Sequence, residues 1–73
     1  MLKSVEEVVE AVGGDEVAAE LAGVGIAAVL NWKGRDNKIP PRHVLLFSQA
    51  VGRKGKQIDP SVFGLKSIEE ARA

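Results

Sequence analysis

Residues 13–44 read GGDEVAAELAGVGIAAVLNWKGRDNKIPPRHV, and the punctuation of that stretch decides the fold. Gly13 and Gly14 are a stop, because glycine accepts the left-handed backbone that closes a helix. Asp15 is a good N-cap or first-turn residue, and Val17, Ala18, Leu21 and Ala22 give the segment after it an apolar side. Gly23 interrupts the pattern. Beyond it Val24, Ala28, Val29 and Trp32 recur at helical spacing, so a further short helix runs from Gly25 to Lys33. Two short helices joined by a glycine-bearing turn form a helix-turn-helix over residues 15–33. That geometry makes demands on single positions. Ala19 must be small where the next helix crosses, Gly23 must be free to take positive φ, and Val29 with Trp32 must fill the angle between the helices. Trp32 in this register is a core plug rather than a platform for a base.

Upstream, Ser4-Val5-Glu6-Glu7 is a capping box. The Ser4 hydroxyl can accept from the Glu7 amide while the Glu7 carboxylate returns to the Ser4 amide. Val5, Val8, Val9 and Val12 then fall at i, i+3, i+4 and i+7 as one apolar stripe. Four β-branched residues lower helix propensity, so this helix depends on burial of the stripe.

Downstream, Pro40 and Pro41 suit the start of a fourth helix, where the first amides lack partners anyway. From Arg42 to Val51 that helix carries Val44, Leu45, Leu46, Phe47, Ala50 and Val51, more than one buried side needs. Either the C-terminal segment folds back over the surplus or a second subunit covers it. Leu46, Ile58, Val62 and Phe63, with Leu65, are the candidates for a dimer interface. Arg53-Lys54-Gly55-Lys56 reads as an exposed turn, a second phosphate clamp or a plain solvated loop. Residues 56–65 fit a strand, a short helix or irregular structure equally well. Ser67–Ala73 is expected to be mobile or a short terminal helix. The reading is therefore all-α or mainly α: a bundle of four to five short helices in one domain over residues 4–65, with a tail at 66–73.

A chain of 73 residues has apolar side chains for one core, and 45% hydrophobic with 27% charged residues is globular composition. With no cysteine and a single histidine, His43, disulfides, thiolate nucleophiles, thiol redox chemistry and Cys/His zinc sites are excluded. His43, beside Arg42 at a helix start, reads as a solvated surface group. No apolar run approaches the ~20 residues that cross a bilayer, and the N-terminus lacks a signal-peptide pattern, so a soluble cytoplasmic protein is expected. The adjacent carboxylates Glu6/Glu7 and Glu69/Glu70 point to different sides of a helix. With no phosphate-cradling glycine loop, nucleophile with its base, or metal cluster in view, the expectation is a non-enzyme without cofactor, metal or small-molecule substrate.

The net charge of zero hides an asymmetry. Residues 1–30 hold Lys3 against six acids, a balance of −5. Residues 31–56 hold seven basic groups against Asp36 alone, a balance of +6. A basic half on so small a molecule can present a positive surface to phosphates while the acidic half faces away.

The stretch from the paired glycines through Ile39-Pro40, closed by IDPSVFG at 58–64, resembles the Cro-like helix-turn-helix repressors of phages and bacteria. In that family a small-residue helix, a Gly-Val turn, an Ala-Val-x-x-Trp recognition helix and an Ile-Pro follow in this order, and the similarity spans about residues 4–64. The resemblance implies a transcription regulator whose third helix enters the major groove of double-stranded DNA, with a homodimer on an inverted repeat and a nucleoid-associated location. Carried over by position, the base-reading residues are Ile26, Ala27, Leu30 and Asn31, with Gly25 at the helix start. Family members usually place Ser, Gln, Arg or Asn there. Here Asn31 can pair with N6 and N7 of adenine, and Ile26, Ala27 or Leu30 can pack on thymine methyls, an A·T-leaning code. Asp15 and Glu16 stand where the family grips a phosphate, so phosphate contact is assigned to Gly25, Lys33, Arg35, Lys38 and Arg42. The apolar third helix also suits a different class of function, a protein-interaction module of antitoxin-like or transcription-machinery-binding type.

Overall fold

The computed structural model describes residues 1–66, and the expectation for Ser67–Ala73 lies outside them. Helix α1 (Val5–Val12) starts at Ser4, whose hydroxyl oxygen accepts from the Glu7 amide at 3.2 Å. The return half of the capping box differs: the Glu7 carboxylate accepts from the Ser4 hydroxyl at 3.2 Å, not from the Ser4 amide. Val5, Val8, Val9 and Val12 are all buried, so the valine stripe is the inner face of the helix. Gly13, at φ 120°, closes it, and the Gly13 and Gly14 amides take the carbonyls of Glu10 and Val9 at 3.1 and 2.9 Å.

Helix α2 (Asp15–Ala22) and helix α3 (Ile26–Lys33) are joined by three residues. Gly23 sits in the left-handed region at φ 71°, and the Val24 amide reaches back to the Ala19 carbonyl at 3.0 Å. Ala18, Ala19, Val29 and Trp32 are buried, the small side chains of α2 leaving room for the larger ones of α3. Each position that the helix-turn-helix geometry constrains is filled as the residues predict.

Pro41–His43 forms a 3₁₀ turn closed by the His43 amide on the Pro40 carbonyl at 3.0 Å, and helix α4 (Val44–Gly52) follows. The α-helix therefore begins two residues later than Arg42. Phe47 and Val51 are its buried residues, with Val44 and Ala50 half-buried beside them.

The chain then returns to its beginning. Leu2 pairs with Ile58 in an isolated parallel bridge, the Leu2 amide donating to Gln57 and the Asp59 amide to Leu2, both at 2.8 Å. The folded unit thus includes Leu2, ahead of the expected boundary at residue 4. A second 3₁₀ turn, Pro60–Phe63, is tied to the middle of the chain by the Ile39 amide on the Val62 carbonyl at 2.8 Å. Val62 and Phe63 are buried in one cluster with Ile39, Phe47 and Val51. This corrects their assignment to a dimer interface. The C-terminal segment folds back and uses them to complete the chain's own core, and Ile58 is half-buried in the same segment. Leu46 stays outside at 40% exposure, next to Leu45 at 71%. The basic turn has a structural member: Lys54 donates through Nζ to the Ala11 carbonyl at 2.5 Å, a cation at the C-terminal end of α1 where the helix dipole favours one. The molecule is mainly helical, and no helix among the described residues is long and apolar enough to cross a membrane.

Candidate nucleic-acid interface

At 100° per residue, Ile26, Ala27, Leu30 and Asn31 fall within a contiguous arc of roughly 140° on α3, and all four are exposed. Ala28, Val29 and Trp32 occupy the opposite arc and face the core. Burial of one side therefore aims the other outward. Ile26 is 44% and Leu30 50% exposed, a large apolar area for the surface of so small a protein. Gly25 is exposed at the N-cap, and its carbonyl accepts from the Ala28 amide at 3.1 Å.

The end of α3 is held by a contact across 18 residues. Lys33 Nζ donates to Asp15 Oδ1 at 3.0 Å, with both side chains about a third exposed or less, near 27% and 34%. The pair joins the C-terminal end of α3 to the first residue of α2. It also changes two expectations together. The Asp15 carboxylate at the N-terminus of α2 is neutralised rather than left to repel phosphate, and Lys33 is engaged rather than free to contact one. A cleft where α1, the start of α2 and the end of α3 meet, lined by Glu6, Glu10, Asp15 and Lys33, has three carboxylates to one ammonium and is no place for a phosphate.

The exposed cations nearest to α3 in the chain lie in the segment that leaves it, with Arg53 and Lys56 exposed farther along. Arg35, Lys38 and Arg42 are exposed. The segment is anchored rather than loose: the Gly34 amide donates to Leu30 at 3.1 Å and the Asp36 amide to Asn31 at 2.8 Å, and Asn37 takes the left-handed conformation at φ 51°. Asparagine tolerates that region better than most residues. The Lys38 stem lies over Gly64, where a Cβ would sit 3.1 Å from its Cδ, so the closing turn of the chain helps to place this lysine.

His43 is buried at 7% exposure, which corrects its reading as a solvated group. Its ring lies 5.4 Å from Trp32 and 6.2 Å, edge to face, from Phe47. His43 stands four residues before Phe47 and eight before Val51, the helical spacing that puts all three on the inner face. Arg42 Nε donates to His43 Nε2 at 3.5 Å, a long contact. Burial, and next the Arg42 charge, lower the His43 pKa below its ordinary 6.5. The imidazole is therefore part of the wall that supports Trp32 and, through it, α3.

The Asp15–Lys33 pair is a product of tertiary geometry, its one local hint being opposite charge at the two ends of the helix-turn-helix, whereas the inward His43 had a signal in the chain, its helical spacing to Phe47 and Val51. Among the described residues no three His, Cys, Asp or Glu side chains come together as a metal site. Compared with known proteins, the chain matches no family model, no curated protein and no solved structure.

Proposed function

We propose that this chain is a sequence-specific double-stranded DNA-binding transcription regulator, similar to the Cro-like repressors, that acts as a homodimer on an inverted repeat. The observation that carries the reading is the exposure of the whole outward arc of α3, Ile26, Ala27, Leu30 and Asn31, on a helix fixed from behind by Val29 and Trp32. A rigid, outward helix of this length fits the major groove. Arg35, Lys38 and Arg42 supply the sequence-independent attraction to phosphates, and the affinity falls with salt as counterions are released. Repression follows from occupying promoter DNA. Leu46, with the neighbouring Leu45, is the surface on which two copies meet.

The experiment is selection of bound sequences from a random duplex pool, followed by a mobility-shift titration at low salt. A short site of twofold symmetry supports the proposal, and absence of binding to any duplex removes it. A second reading, a helix-turn-helix protein-interaction module, is favoured by one observation, the aliphatic character of the exposed arc. It predicts a partner protein retained on the immobilised chain after nuclease treatment, with no retained DNA fragment.

A further inference from the structure

We infer that α3 reads C5-methyl groups in the major groove, so that 5-methylcytosine takes the place of thymine better than cytosine does at the positions touched by Ile26, Ala27 and Leu30. The inference rests on the DNA-binding reading above and names the chemistry of the sequences it selects. The outward arc of α3 carries three aliphatic side chains and one amide. Lys33, the one cation of the helix, is held by Asp15 at 3.0 Å, so no guanidinium or ammonium is free on α3 to take O6 and N7 of guanine.

An aliphatic side chain pressed onto a base edge removes water from whatever the edge presents. Guanine O6 and N7 and the cytosine N4 amine then lose hydrogen bonds with nothing in return, which is unfavourable. The C5-methyl is the apolar group in that groove, and its contact with Ile26 or Leu30 removes apolar surface from water on both sides. The methyl of 5-methylcytosine stands on the same ring carbon. Discrimination on this face therefore comes from a carbon atom rather than from a hydrogen-bond pattern, with Asn31 at the edge of the arc adding a contact to adenine. Charge complementarity selects a duplex as occupant over an apolar protein surface: Arg35, Lys38 and Arg42 are exposed on the segment leaving α3, with Asp36 the one acid among residues 31–56.

The test uses the full chain and a duplex recovered from the random pool. Uracil is placed for thymine at each half-site position in turn, which deletes the methyl and leaves base pairing intact. Each contacted position should lose about fourfold in affinity, the worth of one buried methyl group. Cytosine in a T·A to C·G exchange should bind worse still, and 5-methylcytosine in its place should recover about fourfold. Leu30→Ala, checked for unchanged helicity, should cut the uracil penalty at its position to less than twofold while retaining binding. Equal affinity for the thymine and uracil duplexes overturns the inference, as does a selected site without thymine in its half-sites, and in both cases DNA binding itself stands. If no duplex is bound at low salt, the DNA-binding reading falls and the inference with it.

Discussion

Asp15 and Lys33 show how one contact redistributes the charge of the candidate interface. Replacing the acid by a neutral isostere, Asp15→Asn, removes a partly exposed ion pair, so the stability loss should stay below about 1 kcal/mol. The same change releases Lys33 at the end of the helix proposed to face DNA and removes one of the three carboxylates around it. Affinity for duplex should rise, and the slope of log affinity against log salt should steepen by about 1, the mark of one more phosphate contact. Unchanged affinity and slope would mean that this end of α2 lies away from DNA. His43 argues in the other direction, through protons. Its pKa is lowered by burial and by Arg42, so below pH 6.5 the unfolded chain binds a proton that the folded chain refuses. The stability it contributes is complete above pH 6.5 and is lost as pH falls toward the lowered value. His43→Phe should therefore show a smaller drop in melting temperature than the wild type on going from about pH 7 to about pH 5, and parallel curves would exclude the buried neutral imidazole. Trp32 was legible as a plug from its spacing to Val29. The inward side of His43 had a signal in its spacing of four to Phe47 and eight to Val51, although nothing local says which side of the apolar-rich α4 meets the core; the Asp15–Lys33 pair was not legible, because the partners are distant in sequence.

Helices α1, α2 and α3 were legible because local signals agree with the tertiary result: the Ser4 cap, the valine stripe, the paired glycines and Gly23 each mark a boundary that the fold keeps. Gly23 gives a clean measurement of one such signal. A Cβ there would meet nothing within 4 Å, so Gly23→Ala tests backbone strain at φ 71° without a clash. It should cost about 1 to 2 kcal/mol in chemical denaturation, and Gly23→Asn less, since asparagine tolerates the left-handed region. A neutral alanine would contradict the left-handed turn. The C-terminal segment was not legible in the same way. Pro60 and the left-handed Gly64 mark its 3₁₀ turn locally, but where the segment lies is set by hydrogen bonds with Leu2 and Ile39, both far away in sequence. The surplus of apolar residues on α4 was visible, whereas the division between inner and outer ones was not. Phe47 and Val51 face the core and are covered by Val62 and Phe63, while Leu45 and Leu46 remain outside. Phe63→Ala should accordingly cost about 3 to 5 kcal/mol, where Leu45→Ala should stay within about 0.5 kcal/mol. Equal effects would mean that the C-terminal turn does not close the core.

At the scale of the whole molecule, the two charged halves of the chain do not simply become two faces, because the fold spends part of the basic half internally. Lys54 caps α1 and Lys33 pairs with Asp15, which leaves Arg35, Lys38 and Arg42 as the exposed cations nearest in sequence to α3. Under the proposed function, one such unit would reach only a few base pairs with one short helix, so its selectivity as a monomer would be small against the many competing sites of a genome. Two units related by a twofold axis would double the contacts and read half-sites ~34 to 36 Å apart. The C-terminal turn has claimed Val62 and Phe63, so of the surfaces expected to pair, the outer side of α4 with Leu45 and Leu46 is exposed, as is Leu65 beyond the turn. The double variant Leu45→Glu, Leu46→Glu places four like charges at a twofold contact, two from each copy, yet leaves Phe47 and Val51 in place for the core. It should remain folded by circular dichroism and sediment as a monomer. Its affinity for an inverted repeat should fall to that for a single half-site, and its salt slope should fall to about half the wild-type value, because each phosphate contact contributes about 0.9 to that slope. If the wild-type chain itself sediments as a monomer while binding DNA, and prefers no repeat over one half-site, the outer side of α4 is not where two copies meet.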